Sequence, residues 1–351
     1  MGSEHLKLPF YLRLSLSLLS VVLMFTIFRY AANIFIPLVL ALLMAIMLLP
    51  VNRFLEQKLR FSRALASLVC VTLAVSALGL FLYFLATQLA IFFDDIPALQ
   101  VRMTELMHDG QVWLAGRMHI TTVQQNEYVN KSMERIMEML GHYASNIAVY
   151  VLGLVFLLVF VFLFTFFILY YRRLLMRFLL ELFGEKHGEK VNEVVQHTRD
   201  MINGYIVGLV LEMLLVGVFS CALLLLLDVR YPFLLGIVVA VFNVIPYVGF
   251  YTAMVLSMMV TFANADAKLA LEAGAALFTL HMIDSNVLFP RIMGRRVRVN
   301  PFVTILAVII GQYLWGVAGM FLSVPVAGTI NLICEKVGRF RVWSILMGTE
   351  N

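Results

Sequence analysis

Apolar residues run along this chain for lengths that neither a strand nor a soluble helix uses, and polar positions gather in short clusters between them. From Leu14 to Val51 the only charge is Arg29, with Asn33 and Pro37 near the centre, which predicts two spans joined by a turn around 29–36. Further spans are expected from Ala64 to about Phe93, Tyr143 to Tyr171, Tyr205 to Leu227 and Lys268 to Pro290. Two other stretches, Tyr231 to Ala265 and Val299 to Cys334, carry no charge at all and are each interrupted at the centre by Pro or Gly. At about 1.5 Å per residue each is far longer than a hydrocarbon core of roughly 30 Å requires, while half of one is a short span. Each reads as a broken or re-entrant helical hairpin. Non-helical backbone at membrane depth is tolerated only where protein or a water-filled cavity surrounds it, so paired breaks mark a candidate solute path.

The fold class expected is therefore an all-α polytopic membrane protein with six firm transmembrane helices, two broken hairpins and a non-membrane segment. That segment, residues 94–146, holds apolar positions at helical spacing (Val101, Leu106 and Val112, then Val129, Met133, Ile136 and Leu140) and predicts amphipathic helices. Lys and Arg are in excess in residues 52–63 and 291–298 and, mixed with acids, are frequent in 172–203. The positive-inside rule puts these loops and both termini in the cytoplasm and 94–146 outside. The chain divides into a hairpin plus third span (1–93), the outer segment (94–146), a fourth span with cytoplasmic linker helix (147–203), a transport core with two hairpins (204–334) and a cytoplasmic tail (335–351). The two hairpins enter from opposite sides, an inverted relation that alternating access uses.

Composition narrows the function classes. With 62% hydrophobic and 13% charged residues, no soluble domain fits. The net charge of +5 is spread over short loops beside apolar runs, which suits anionic lipid headgroups and offers no nucleic-acid surface. Cys70, Cys221 and Cys334 are isolated in apolar segments and form neither a disulfide framework nor a metal pattern. The sequence has no GxxxxGK[ST], HExxH or GxSxG in a suitable setting, so no cofactor, metal or catalytic residue is assigned and an enzyme is not expected.

Candidate chemistry sits at the breaks and at two acids. The first break reads NVIPYVGF, where Pro246 lacks the amide to continue a helix and Gly249 permits a turn; Asn243 and Tyr247 add directed hydrogen bonding. The second reads GQYLWGVAGM, where Gly316 lies at the tip and Gln312, Tyr313 and Trp315 offer polar and stacking groups. Glu212 and Asp284 are carboxylates within spans, and an acid in hydrocarbon by default suggests an ion or proton relay. His281 shares a helical face with Asp284 and reads as a hydrogen-bonded packing residue.

The runs DVRYPFLLGIVVAVFNVIPYVGF (Asp228 to Phe250) and DSNVLFPRIMGRRVRVNPFVTILAVIIGQYLWGVAGMFLSVPVAG (Asp284 to Gly328) resemble the autoinducer-2-exporter-like, or PerM-like permease, transporter family. Pro246 and Gly249 match its proline-glycine break, Asn286 and Pro290 its asparagine and proline, Gly294 and Pro301 its basic loop, and Gly316, Gly319 and Pro325 its last hairpin. Ser285 intervenes where an acid directly precedes the asparagine, and Val207 stands where a polar residue is frequent. The resemblance implies a multi-pass secondary transporter of the bacterial inner membrane. Relatives are assigned export of the quorum-sensing furanone signal, or exchange of sodium or lithium for protons, and homo-oligomers are implied as well. The expected function is export of a small polar organic solute such as autoinducer-2, with Asn286 joining the path residues. The alternatives are a monovalent cation/proton antiporter working through Glu212 and Asp284 and, from another class, a non-transporting membrane scaffold.

Overall fold

A computed structural model of the chain describes residues 9–96, 101–102, 122–184, 187–244, 249–292, 299–337 and 340–348. Among them all regular structure is helical: α1 (Phe10–Tyr30), α2 (Ala32–Gln57), α3 (Arg63–Asp94), α4 (Thr122–Phe183), α5 (Gly188–Leu226), α6 (Pro232–Asn243), α7 (Gly249–Asn264), α8 (Ala267–Ile283), a π-helical turn Asp284–Leu288, α9 (Phe289–Ile292), α10 (Pro301–Lys336) and α11 (Arg341–Met347). The polytopic all-α architecture expected from the apolar pattern is thus present. Six of these helices have the length and apolar composition to cross a membrane: α1, α2, α3, the part of α4 from Val151 to Phe183, α5 and, counted from end to end across its internal break, α10.

The boundaries differ from the sequence reading in three places, each with a physical cause. Helix α4 runs for 62 residues without interruption, so the fourth span has no separate start at Tyr143. No proline lies between Thr122 and Phe183, and isolated Gly141 and Gly153 are tolerated within a helix. Helix α5 likewise joins the linker helix to the fifth span over 39 residues. The span expected at 268–290 is divided by the π turn just before Pro290. A proline ring clashes with the carbonyl four residues back and cannot donate to it; the wider turn, in which the Phe289 amide bonds the Asp284 carbonyl, accommodates this. Most of the first amphipathic stretch, residues 103–121, lies outside the described residues.

The helices gather into two compact units. One comprises Met1–Leu49, Leu163–Ile202 and Val297–Asn351. Here α10 is a hairpin: Trp315 (φ −136°, ψ 19°) and Gly316 (φ 60°, ψ −139°) leave helical geometry and reverse the chain. Gly316 adopts a backbone region that side chains rarely enter. Beside the tip, Gly311 and Gly319 meet backbone to backbone, each lying where the other's Cβ would be. Asn300 caps the first leg through its Oδ1, which accepts from the Val303 amide at 2.9 Å.

The other unit comprises Pro50–Phe162 and Asn203–Arg296. Its core is built by Val216 and Leu224 of α5, Leu234, Leu235 and Val239 of α6, Phe250 and Ala253 of α7, and Ala273 and Leu277 of α8. Lipid tails are as apolar as these side chains, so close packing of helices matters more here than withdrawal from water. Small residues make that packing possible: Gly236 lies against the Cys221 backbone and Gly274 against the Met258 side chain. At one end Asp95, which caps α3, accepts from Arg230 Nη2 at 2.8 Å and from the Tyr231 hydroxyl, tying α3 to the loop between α5 and α6.

Candidate functional site

Three residues far apart in sequence meet at the end of α6. Glu212 belongs to a buried stripe of α5 that continues through Val216, Ser220 and Leu224 at four-residue spacing, so its carboxylate faces protein. Asn243 is the last residue of α6, immediately before the break. Asp284 opens the π turn. The Asn243 amide nitrogen donates to Glu212 Oε1 at 3.3 Å and to Asp284 Oδ2 at 3.2 Å. Both acids are only 4% exposed, and Glu212 Oε2 and Asp284 Oδ1 have no hydrogen-bond partner.

The chemistry of this arrangement follows from its charge. Two carboxylates are buried together and share one neutral donor, so burial and like-charge repulsion both act on the pair. The two orphan oxygens are unused acceptors on facing carboxylates. Among the described residues no three His, Cys, Asp or Glu side chains are grouped to hold a metal ion. His281 is stacked flat on Phe250, ring centroids 3.9 Å apart at 6°, with Nε2 3.4 Å from Ser285 Oγ. That is the packing role expected for it, although its Nδ1 is buried without a partner.

The other candidates fall in separate places. Gly249 is the buried first residue of α7, while Pro246 and Tyr247 lie outside the described residues. Asn286 is exposed, and its side chain donates to the Met282 carbonyl of its own helix at 2.7 Å, so it does not join the acids. Gln312, Tyr313, Trp315 and Gly316 cluster at the tip of the α10 hairpin, where Gln312 and Gly316 are exposed. There Arg29 Nη1 donates to the Tyr313 carbonyl at 3.1 Å and its guanidinium lies 5.8 Å from the Tyr313 ring centroid.

The sequence reading gave Arg29 no role. Its signal was present, since a lone charge in a long apolar run needs a partner. Nothing in the sequence marked Tyr313 as that partner, because the acceptor is a backbone carbonyl that only the reversal at Trp315 frees. In the same unit, Lys336 Nζ pairs with Glu193 Oε1 at 2.6 Å. The hydrogen bond and charge of Lys336 hold the Glu193 carboxyl below its usual range, and Glu193 raises the Lys336 ammonium in turn.

A family model described as AI-2E family transporter matches residues 18–339. The AI-2 transport protein TqsA of Escherichia coli (strain K12) is 26% identical over 331 residues, 92% of either chain. The putative transport protein YrrI of Bacillus subtilis (strain 168) is 31% identical over 142 residues, 40% of either chain. YueF of the same organism, also a putative transport protein, is 32% identical over 140 residues, 40% of this chain and 38% of its own. The matches to YrrI and YueF thus span about two fifths of those relatives.

Proposed function

This chain belongs to the AI-2E transporter family, and on that premise we propose that it is a secondary transporter exporting a small polar organic solute such as autoinducer-2, with Glu212 and Asp284 as coupling acids. One observation carries the reading: a single Asn243 amide, at the edge of a helix break, is shared by two buried carboxylates with an orphan oxygen on each. When the pair takes up a proton or cation its charge falls, and the Asn243 bonds that hold the end of α6 weaken or redistribute. Loading is thereby linked to the position of the end of α6, beside the sequence break that is the proposed place for a polar solute. Asn243, Pro246, Tyr247 and Gly249 on this hairpin, Asn286, and Gln312, Tyr313, Trp315 and Gly316 on the other, are the proposed path residues. The same proposal places the chain in the bacterial inner membrane as a homo-oligomer, with both termini cytoplasmic and residues 94–146 outside, on the Lys and Arg bias of the loops.

Flux of autoinducer-2 in sealed proteoliposomes, under imposed proton and sodium gradients, tests the proposal. Gradient-driven flux that loses its coupling in Glu212→Gln, Asp284→Asn supports it; no flux in the native protein under any gradient removes the transport reading and favours a scaffold.

Exchange of a monovalent cation for protons is a second reading, favoured by the same pair of acids, since two carboxylates and an amide suit sodium or lithium as well as a proton. Cation-driven proton movement in liposomes free of organic solute would favour it over solute export.

A further inference from the structure

The short helix α11 follows the second leg of the α10 hairpin and is lashed to the start of the first. Asn300 Nδ2 donates to the Leu346 carbonyl at 2.7 Å and the Gly348 carbonyl at 3.1 Å, and the Asn300 amide donates to the Met347 carbonyl at 3.0 Å. The same side chain caps the first leg of α10 through Oδ1. Helix α11 therefore bridges the two feet of the α10 hairpin. It presents Val342 and Ile345, each 76% exposed, together with exposed Trp343 and Leu346.

We propose that α11 is an interfacial helix that docks on the anionic surface of the membrane the chain spans, its apolar side chains entering the acyl boundary. Position and charge together select this occupant. Four large apolar side chains held at the foot of a membrane hairpin lie where a bilayer begins, and Trp is the side chain most at home at that depth. The sequence flanking both anchor points is basic: Arg291, Arg295, Arg296 and Arg298 precede Asn300, and Arg339 and Arg341 flank the start of α11. An apolar helix face beside a polybasic run supplies the two signals that stable attachment to an anionic leaflet requires. A second copy of the chain would bring the same positive charge and is disfavoured. The assignment to the inner leaflet rests on the orientation proposed above; docking itself does not.

The test is quenching of Trp343 in the full-length protein reconstituted into nanodiscs, with its emission isolated as the difference between native and Trp343→Phe protein. The lipids are phosphatidylcholine alone, or with about a third phosphatidylglycerol, carrying bromine high on the acyl chain. Both leaflets of a nanodisc are alike and no transport is measured, so the result is independent of topology and of the proposed function. Docking predicts loss of most Trp343 emission to bromolipid in the anionic discs, clearly less in neutral ones, and loss of this difference in Arg339→Gln, Arg341→Gln. Quenching by aqueous acrylamide but not by bromolipid, or equal quenching in both lipids, overturns the proposal, as does a Trp343 signal protected from both quenchers, which would point to a protein partner.

Discussion

Trp315 donates its indole N–H to the backbone carbonyl of Phe28 at 2.8 Å, joining the tip of the α10 hairpin to the end of α1. The bond from Arg29 to the Tyr313 carbonyl runs the opposite way, so side chains from each break satisfy carbonyls of the other. Arg29→Met keeps the aliphatic stem and removes the donors. A hydrogen bond from a charged group contributes about 1.5–3 kcal/mol, so the variant should melt at a lower temperature in detergent. Trp315→Phe, which loses a neutral bond of about 0.5–1.5 kcal/mol, should do so less. An unchanged melting curve for both would show the contact to be incidental.

Asn243→Leu leaves two buried carboxylates without their shared donor, a loss of about 1–3 kcal/mol. Part of that loss should vanish when Glu212→Gln and Asp284→Asn are already present, because the bond partners have changed. Strict additivity in this mutant cycle, read from thermal unfolding, would mean that the three side chains do not act together.

The α10 tip makes a prediction of backbone geometry. Gly316→Ala forces a Cβ onto a conformation with φ near +60° and should destabilise by about 1–3 kcal/mol although the position is open to solvent or lipid. Gly311→Leu acts differently, driving a side chain into the backbone of Gly319 and splaying the two legs. A cross-linker between cysteines on the two legs should therefore lose yield in Gly311→Leu and retain it in Gly316→Ala. Native yield in Gly311→Leu would refute the close approach.

The pair Glu193–Lys336 sets a pH window. The Glu193 pKa is depressed in the folded chain, so its contribution is present above the ordinary carboxylate value and disappears as pH falls through the lower folded value. The Lys336 pKa is raised, so its contribution holds below the ordinary ammonium value and disappears as pH rises through the higher folded one. Hydrogen exchange at the start of α5 and the end of α10 should be slow across neutral pH and accelerate, beyond the intrinsic rate, on acidification into the folded carboxylate range. Lys336→Gln should abolish that acceleration; its persistence would assign the effect to another group.

Topology is checked with single cysteines at Gln124, Lys190 and Arg296 and an impermeant thiol reagent on intact cells. Only Gln124→Cys should label from outside. Labelling of Lys190→Cys under the same conditions would invert the arrangement.

Local chemistry and long-range contact differ in how far the sequence reveals them. The second break was legible because Gly316 acts on its own backbone, and the reversal at Trp315 and Gly316 is where the glycines predicted it. The acids were legible because a carboxylate in an apolar run is itself the signal. That Asn243 serves both Glu212 and Asp284 was not, since the pairing depends on how α5, α6 and the π turn pack. The span start expected at Tyr143 does not coincide with a helix start, for another reason. Leaving a bilayer changes which side chains are favoured, but it does not by itself stop a helix. Asn286 shows the converse, a polar residue whose partner is the Met282 carbonyl one turn back, so its hydrogen bonding needs no site at all.

The π turn at Asp284 amounts to one extra residue wound into an otherwise ordinary helix. One residue of α-helix is about 100° of rotation. Were the turn to tighten, the segment on one side would have to swivel by that angle relative to the other, or the surplus residue would have to travel along the helix. Asp284 therefore sits where the helix carries its one surplus residue, so the winding that accommodates Pro290 also sets the direction in which its carboxylate meets Asn243.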